Sequence, residues 1–137
     1  QAIERALKPK GRLVAELGGQ GNVQSILTAL RNAFSDIGAE FEDPWYFPSA
    51  QDYDNLLTIH GFKTSYIRLH DRPTPLEGQN GLRNWLEMFA GGLLNRLNPV
   101  TRSHVITQVE NSLRSQIYLG NQWIVDYRRL QVIAIKQ

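Results

Sequence analysis

The stretch Arg12-Leu13-Val14-Ala15-Glu16-Leu17, followed by Gly18-Gly19-Gln20-Gly21-Asn22, constrains the fold more than any other part of the chain. A short, mostly apolar run bounded by Gly11 and Gly18 predicts a strand covered on both faces, and parallel pairing is its natural arrangement. Asn22 is a good helix N-cap. Beyond it Val23, Ile26, Leu27, Leu30, Phe34 and Ile37 fall on one helical face, closed by Gly38. Strand, glycine turn and helix make half of a β-α-β unit, so the class expected is α/β.

The remaining pattern extends this reading. Ile3, Ala6 and Leu7 carry helical spacing up to the breaker Pro9-Lys10-Gly11, which suggests a chain that starts inside a helix and lacks an N-terminal portion. Residues 39 to 48 read as irregular, with Trp45, Tyr46 and Phe47 held between Pro44 and Pro48. Ser49, with Asp52 three residues on, opens a helix whose inner face is Tyr53, Leu56, Leu57 and His60, ended by Gly61. A second strand is predicted from about Phe62 to His70. The prolines and glycine of Asp71-Arg72-Pro73-Thr74-Pro75-Leu76-Glu77-Gly78 then predict a loop. From Gly81 to Leu97 the residues Leu82, Trp85, Leu86, Phe89, Leu93 and Leu97 form one helical stripe. Asn98-Pro99 caps and starts a further helix to about Ile117. After a Gly120-Asn121 turn, Trp123 to Lys136 is β-rich and nearly apolar on both faces from Leu130 to Ile135, which predicts a central strand.

Composition narrows the function. At 137 residues, with 42% hydrophobic and 20% charged residues, the chain is the size of one globular domain, read here as residues 1–137. A net charge of +2 supplies no phosphate-tracking field, so nucleic acid is not an expected partner. No apolar run approaches the ~18 residues of a membrane span and no signal peptide is apparent, so the expected location is cytoplasmic, with no membrane partner. The absence of cysteine removes thiol nucleophiles and thiolate metal sites, and the three histidines at 60, 70 and 104 are scattered, so no metal is expected. No Ser-His-Asp arrangement or carboxylate pair stands out either.

Three groups remain as candidates. Gly18 and Gly19 are first of all a tight turn and cap, since the G-x-G-x-x-G pattern fails at Gln24; the second reading is that their small size lets a ligand approach the carboxyl end of the strand. Trp45, Tyr46 and Phe47 either seal the core or line a pocket. Arg68 and His70 share a strand face, and with Asp71 and Arg72 they form either a carboxylate clamp or a set of surface ion pairs.

Taken in order, these elements resemble the class I S-adenosylmethionine-dependent methyltransferases, especially the small-molecule branch that includes trans-aconitate methyltransferase. The segments that carry the resemblance are Arg5 to Val14, Ala15 to Asn22, Asp71 to Leu76, Gly81 to Trp85, and Trp123 to Leu130. Lys10 stands where that family's turn has a glycine. The resemblance implies the C-terminal, substrate-side half of a Rossmann-like sheet, with three strands, the last one antiparallel between the other two. It also implies a helical cap over residues 79–118 and a fragment of a larger domain. S-adenosylmethionine is the implied cofactor of the parent enzyme, and the residues that hold it have no counterpart here, so the fragment alone is expected to be inactive.

The substrate implied is a small molecule, a carboxylate being one candidate. Arg72 and Arg83 would orient it, Trp45, Tyr46 and Trp85 would wall it, and Gly18 and Gly19 would admit it. The alternative is a stand-alone protein-interaction module without catalytic activity. In the full sheet that the resemblance implies, the strand Arg12 to Leu17 pairs on its far side with a strand of the missing half, so in the fragment this apolar edge is open and a homo-oligomer of the fragment is expected.

Overall fold

The computed structural model describes residues 2–137, and Gln1 lies outside the described residues. Three strands, β1 (Arg12–Gly18), β2 (Phe62–Leu76) and β4 (Gln122–Lys136), form a sheet in the order β1-β4-β2, and the two-residue β3 (Tyr118–Leu119) also pairs with β4. The helices are α1 (Ala2–Ala6), α2 (Gln24–Asp36), α3 (Ala50–Ile59), α4 (Gly81–Phe89), α5 (Gly91–Leu94) and α6 (Pro99–Ile117). The architecture is therefore mixed α/β, with the last strand in the centre of the sheet as its doubly apolar sequence requires. No helix of the described residues is long and apolar enough to cross a membrane.

The chain forms two compact units. The first comprises residues 1–22, 46–72 and 127–137. Its core is Leu57 of α3 with Phe62, Leu130, Val132 and Ala134, flanked by Leu7, Leu13, Leu17, Ile67 and Leu69. Within it β1 runs antiparallel to β4, with Leu13 opposite Ala134 and Leu17 opposite Leu130. The Lys136 ammonium donates to the carbonyls of Glu4 and Leu7, which ends α1 with a cation, as a helix C-terminus favours.

The second unit comprises residues 23–45 and 73–126. Here α2 packs on α6 through Ile26, Leu30, Ala33 and Phe34 on one side and Val105, Ile106, Val109 and Leu113 on the other.

Four expectations are corrected. β1 is not covered on both faces, because Arg12, Val14 and Glu16 alternate outward, and its pairing with β4 is antiparallel, as the resemblance implied for the last strand and not parallel as the glycine-bounded run alone suggested. β2 does not stop at His70 but continues through Pro73 and Pro75 to Leu76. It is the outer strand of the sheet, and prolines two residues apart remove donors from one side only, which an edge strand tolerates. The helix expected from Gly81 to Leu97 breaks at Ala90, ahead of Gly91 and Gly92, whose helix propensity is poor. Finally, Asn22 is not the N-cap of α2. That position belongs to Val23, at φ 47° and ψ 34°, a left-handed conformation costly for a β-branched residue and held here by its burial and by its amide bond to the Asp126 carbonyl.

Candidate functional site

The turn leaving β1 is fastened along its whole length within the first unit. Gly19 N–H donates to the Arg128 carbonyl at 3.0 Å, Gln20 N–H to the Pro48 carbonyl at 2.9 Å and Asn22 N–H to the Gly19 carbonyl at 2.9 Å. The Asn22 amide oxygen accepts from Arg128 N–H at 2.6 Å, and Arg128 Nη1 donates to the Gln20 carbonyl at 3.1 Å. Asp71 Oδ1 lies 2.8 Å from Arg128 Nε. Arg128 thus grips the turn with backbone and side chain together.

The glycines of the turn are explained by what surrounds them. A Cβ on Gly18 would stand 2.8 Å from both Asn22 Nδ2 and Phe47 Cε1, and one on Gly19 would overlap Leu69 Cδ1. Gly21, at φ +84°, would press a Cβ to 3.1 Å from the Arg128 side chain. The space that glycine leaves open is filled by the protein's own side chains.

Farther along the same unit, Arg72 Nη1 lies 3.0 Å from Glu16 Oε1, and Arg129 Nε lies 3.3 Å from the same oxygen. The hydrogen bond from Arg129 leads; desolvation opposes it and ranks next, but with the charges of both guanidiniums added the Glu16 carboxyl is held below its usual value of 4.5. Tyr46, the other candidate on this unit, is 68% exposed.

The second unit carries Trp45, Arg83 and Trp85. The Trp45 and Trp85 ring centroids are 5.8 Å apart, and Trp85 and Phe89 follow at 5.1 Å, all at tilted angles typical of aromatic contacts. Trp85 is buried from α4 while Phe89, one turn on, is half exposed, so the ladder runs from core to surface. Beside Phe89 a cleft of about 320 Å³ is lined by Glu42, Pro44, Leu93 and Arg96, with Arg96 paired to Glu42 at 3.2 Å. Arg83 Nη2 reaches Glu110 Oε1 at 2.5 Å and Thr107 Oγ1 at 3.2 Å. Asp126 takes over the capping role expected of Asn22, its two oxygens accepting from Ser25 N–H at 3.0 Å and Ser25 O–H at 2.6 Å. Among the described residues no cluster of three or more His, Cys, Asp or Glu is placed to hold a metal ion.

Within the first unit, then, Gly18 and Gly19 adjoin Phe47 and Leu69, and Arg72 is paired with Glu16. Within the second, Trp45 and Trp85 meet, and Arg83 is paired with Glu110. The proposed clamp of His70, Asp71 and Arg72 separates into partners, since Asp71 goes to Arg128 and Arg72 to Glu16, while the buried His70 Nδ1 makes no hydrogen bond among the described residues. Arg128 and Glu110 were not singled out. Glu110 carried a signal, because it is a charged residue on the apolar face defined by Val105, Ile106, Val109 and Leu113 of α6.

No protein-family model matches the chain. The chain is homologous over its whole length to a methyltransferase, the uncharacterized protein C70.08c of Schizosaccharomyces pombe. The two are 30% identical over 151 aligned positions, which take in 100% of this chain and 54% of that protein. The chain therefore spans about half the length of the curated relative it matches. Among solved structures, Haemonchus contortus phosphoethanolamine N-methyltransferase 2, in complex with phosphomonomethylethanolamine and S-adenosylhomocysteine, aligns with 98% of this chain and 28% of that one, at 15% identity and a TM-score of 0.37.

Proposed function

We propose that this chain is the acceptor-side part of an S-adenosylmethionine-dependent methyltransferase acting on a small molecule. The observation that carries this reading is the homology over the whole chain to the S. pombe methyltransferase. S-adenosylmethionine supplies an electrophilic methyl group on a sulfonium. The Gly18–Asn22 turn does not fit it, because the positions a nucleoside or amino acid portion would approach are filled by Phe47, Leu69 and Arg128. What these residues offer is acceptor positioning and exclusion of water, the two requirements of an in-line methyl transfer that needs no covalent nucleophile.

On the second unit the Trp45, Trp85 and Phe89 ladder supplies a rigid apolar wall, and Arg83 supplies a guanidinium. A carboxylate acceptor engages Arg83 by displacing Glu110, or engages Arg72 by displacing Glu16, since each arginine is paired in the structure. At Arg72 the exchange costs little, because the displaced Glu16 keeps Arg129 and is partly exposed, whereas at Arg83 it leaves the nearly buried Glu110 without its cation, a cost the acceptor's own contacts must offset.

The test uses the protein at its full natural length with tritium-labelled S-adenosylmethionine and a set of small carboxylic acids. Transfer of label to an acid is expected. Arg83→Ala then lowers kcat/KM by about tenfold to a hundredfold, the loss of one charge-assisted contact. Absence of transfer to any small acceptor overturns the reading, and an unchanged kcat/KM in Arg83→Ala removes Arg83 from it.

A further inference from the structure

The cleft of about 320 Å³ in the second unit brings charges of both signs to an apolar wall. One side of it is the loop Glu42-Asp43-Pro44, and the other is Phe89 at the end of α4, Gly92 and Leu93 of α5, and Arg96 just beyond. The loop is held in place. Asp43 Oδ1 accepts from Trp45 N–H at 2.9 Å, the Trp45 ring meets Trp85, and the ring of Pro44 fixes the φ angle between them. Opposite, Leu93 is buried and Phe89 is half exposed. A Cβ added at Gly92 would meet no atom within 4 Å, so the cleft is open at that position. Arg96 Nη1 lies 3.2 Å from Glu42 Oε2, with the two side chains 64% and 63% exposed. An exposed pair of long side chains stabilises little and opens by rotamer changes alone.

The balance of charges selects the occupant. Two carboxylates and one guanidinium line the cleft, so a ligand with only a carboxylate takes Arg96 from Glu42 and then faces two unpaired anions. A ligand with only an amine faces the guanidinium. We infer that the cleft binds a free α-amino acid with an aliphatic side chain. Its carboxylate takes Arg96 through two parallel N–H bonds, and its ammonium, with three donors, takes the released Glu42 and the second oxygen of Asp43. The side chain lies against Pro44, Phe89 and Leu93. One weak exposed pair is thus replaced by two charge-assisted ones, on a loop that is already ordered and loses little freedom on binding.

Other ligands match fewer of these groups. A peptide terminus brings one of the two charges, and a phosphate ester meets two carboxylates with a single cation to hold it. A metal ion meets Arg96, and among the described residues no cluster of three or more His, Cys, Asp or Glu surrounds it. The volume is at the small end of ligand pockets, which suits a molecule of amino-acid size. Binding here requires no methyl donor, so the inference goes beyond the proposed reaction and its test does not depend on that reaction.

The test titrates the protein at its full natural length, by calorimetry, with L-leucine, with isocaproate, which is leucine without the ammonium, and with isoamylamine, which is leucine without the carboxylate. Leucine is expected to bind at millimolar concentration or below, and each one-charge analogue about tenfold or more weaker. Glu42→Gln then lowers the preference for leucine over isocaproate by about tenfold, and Arg96→Ala lowers the preference for leucine over isoamylamine by as much, the ratios isolating each pair. Gly92→Leu removes no charge and improves helix propensity, and its side chain fills the cleft, so binding of all three is lost while circular dichroism is unchanged. The proposal is overturned by leucine that does not bind at millimolar concentration or binds no better than either analogue. Preferences that survive both charge substitutions, or leucine binding that survives Gly92→Leu, overturn it as well.

Discussion

The side chain of Asn22 accepts a 2.6 Å hydrogen bond from the backbone N–H of Arg128, tying the turn after β1 to a strand that follows it by more than a hundred residues. Asn22 is 4% exposed, so water cannot replace it. Asn22→Ala leaves the Arg128 amide buried and unpaired and is expected to lower the unfolding free energy by about 1 to 3 kcal/mol. Asn22→Asp keeps an acceptor at the same place and recovers a large part of that loss. Urea denaturation of the three proteins measures the order; equal stability of the alanine and aspartate variants would remove the hydrogen bond from the account.

Much of the scaffold was legible before the structure. Ser49 accepts from Asp52 N–H and Asn98 from Thr101 N–H, as their positions ahead of apolar-periodic runs required, and β4 is central as its apolar residues required. What escaped the sequence depended on partners distant in the chain. Asn22 has the chemistry of an N-cap, but Arg128 N–H takes its side-chain oxygen, and the Asp126 carboxylate accepts from the α2 amide of Ser25 instead. Pro73 and Pro75 break a strand unless it lies at a sheet edge, and edge position is not local information. At the candidate site the aromatic pair Trp45 and Trp85 was visible as residues, whereas the carboxylates that hold Arg72 and Arg83 come from 56 and 27 positions away. No spacing rule links them.

The glycines divide by surroundings rather than by type. Gly18→Ala drives a methyl against Asn22 Nδ2 and two atoms of the Phe47 ring at 2.8 to 2.9 Å, and Asn22 is held in place by its bond from Arg128 N–H. A loss of about 1 to 3 kcal/mol is expected, the usual cost of overpacking. Gly92→Ala, in α5 with no atom within 4 Å of the new methyl, is expected to gain about 0.5 to 1 kcal/mol from backbone entropy. Thermal unfolding of both variants reads the contrast, and a destabilised Gly92→Ala with a neutral Gly18→Ala would reverse the assignment of space around β1 and α5.

Glu16 makes stability depend on pH in a defined direction. The hydrogen bond from Arg129 and the charges of Arg129 and Arg72 favour its ionised form, so its carboxyl in the folded protein titrates below the usual 4.5 that applies when the chain is unfolded. Above 4.5 both states are ionised and the stabilisation is fully present. As pH falls, the unfolded chain takes up the proton first, and the contribution fades until the folded carboxyl is protonated too. Glu16→Gln lacks this term, so the stability difference between it and the unaltered chain is expected to be constant from about pH 6 to 8 and to shrink on acidification below about pH 4.5. The effect also weakens in high salt, because the Arg72 partner is 61% exposed. Urea titrations at pH 7, 5, 4 and 3 measure it. A difference that grows on acidification would require a folded carboxyl raised above 4.5, contrary to the two guanidiniums beside it.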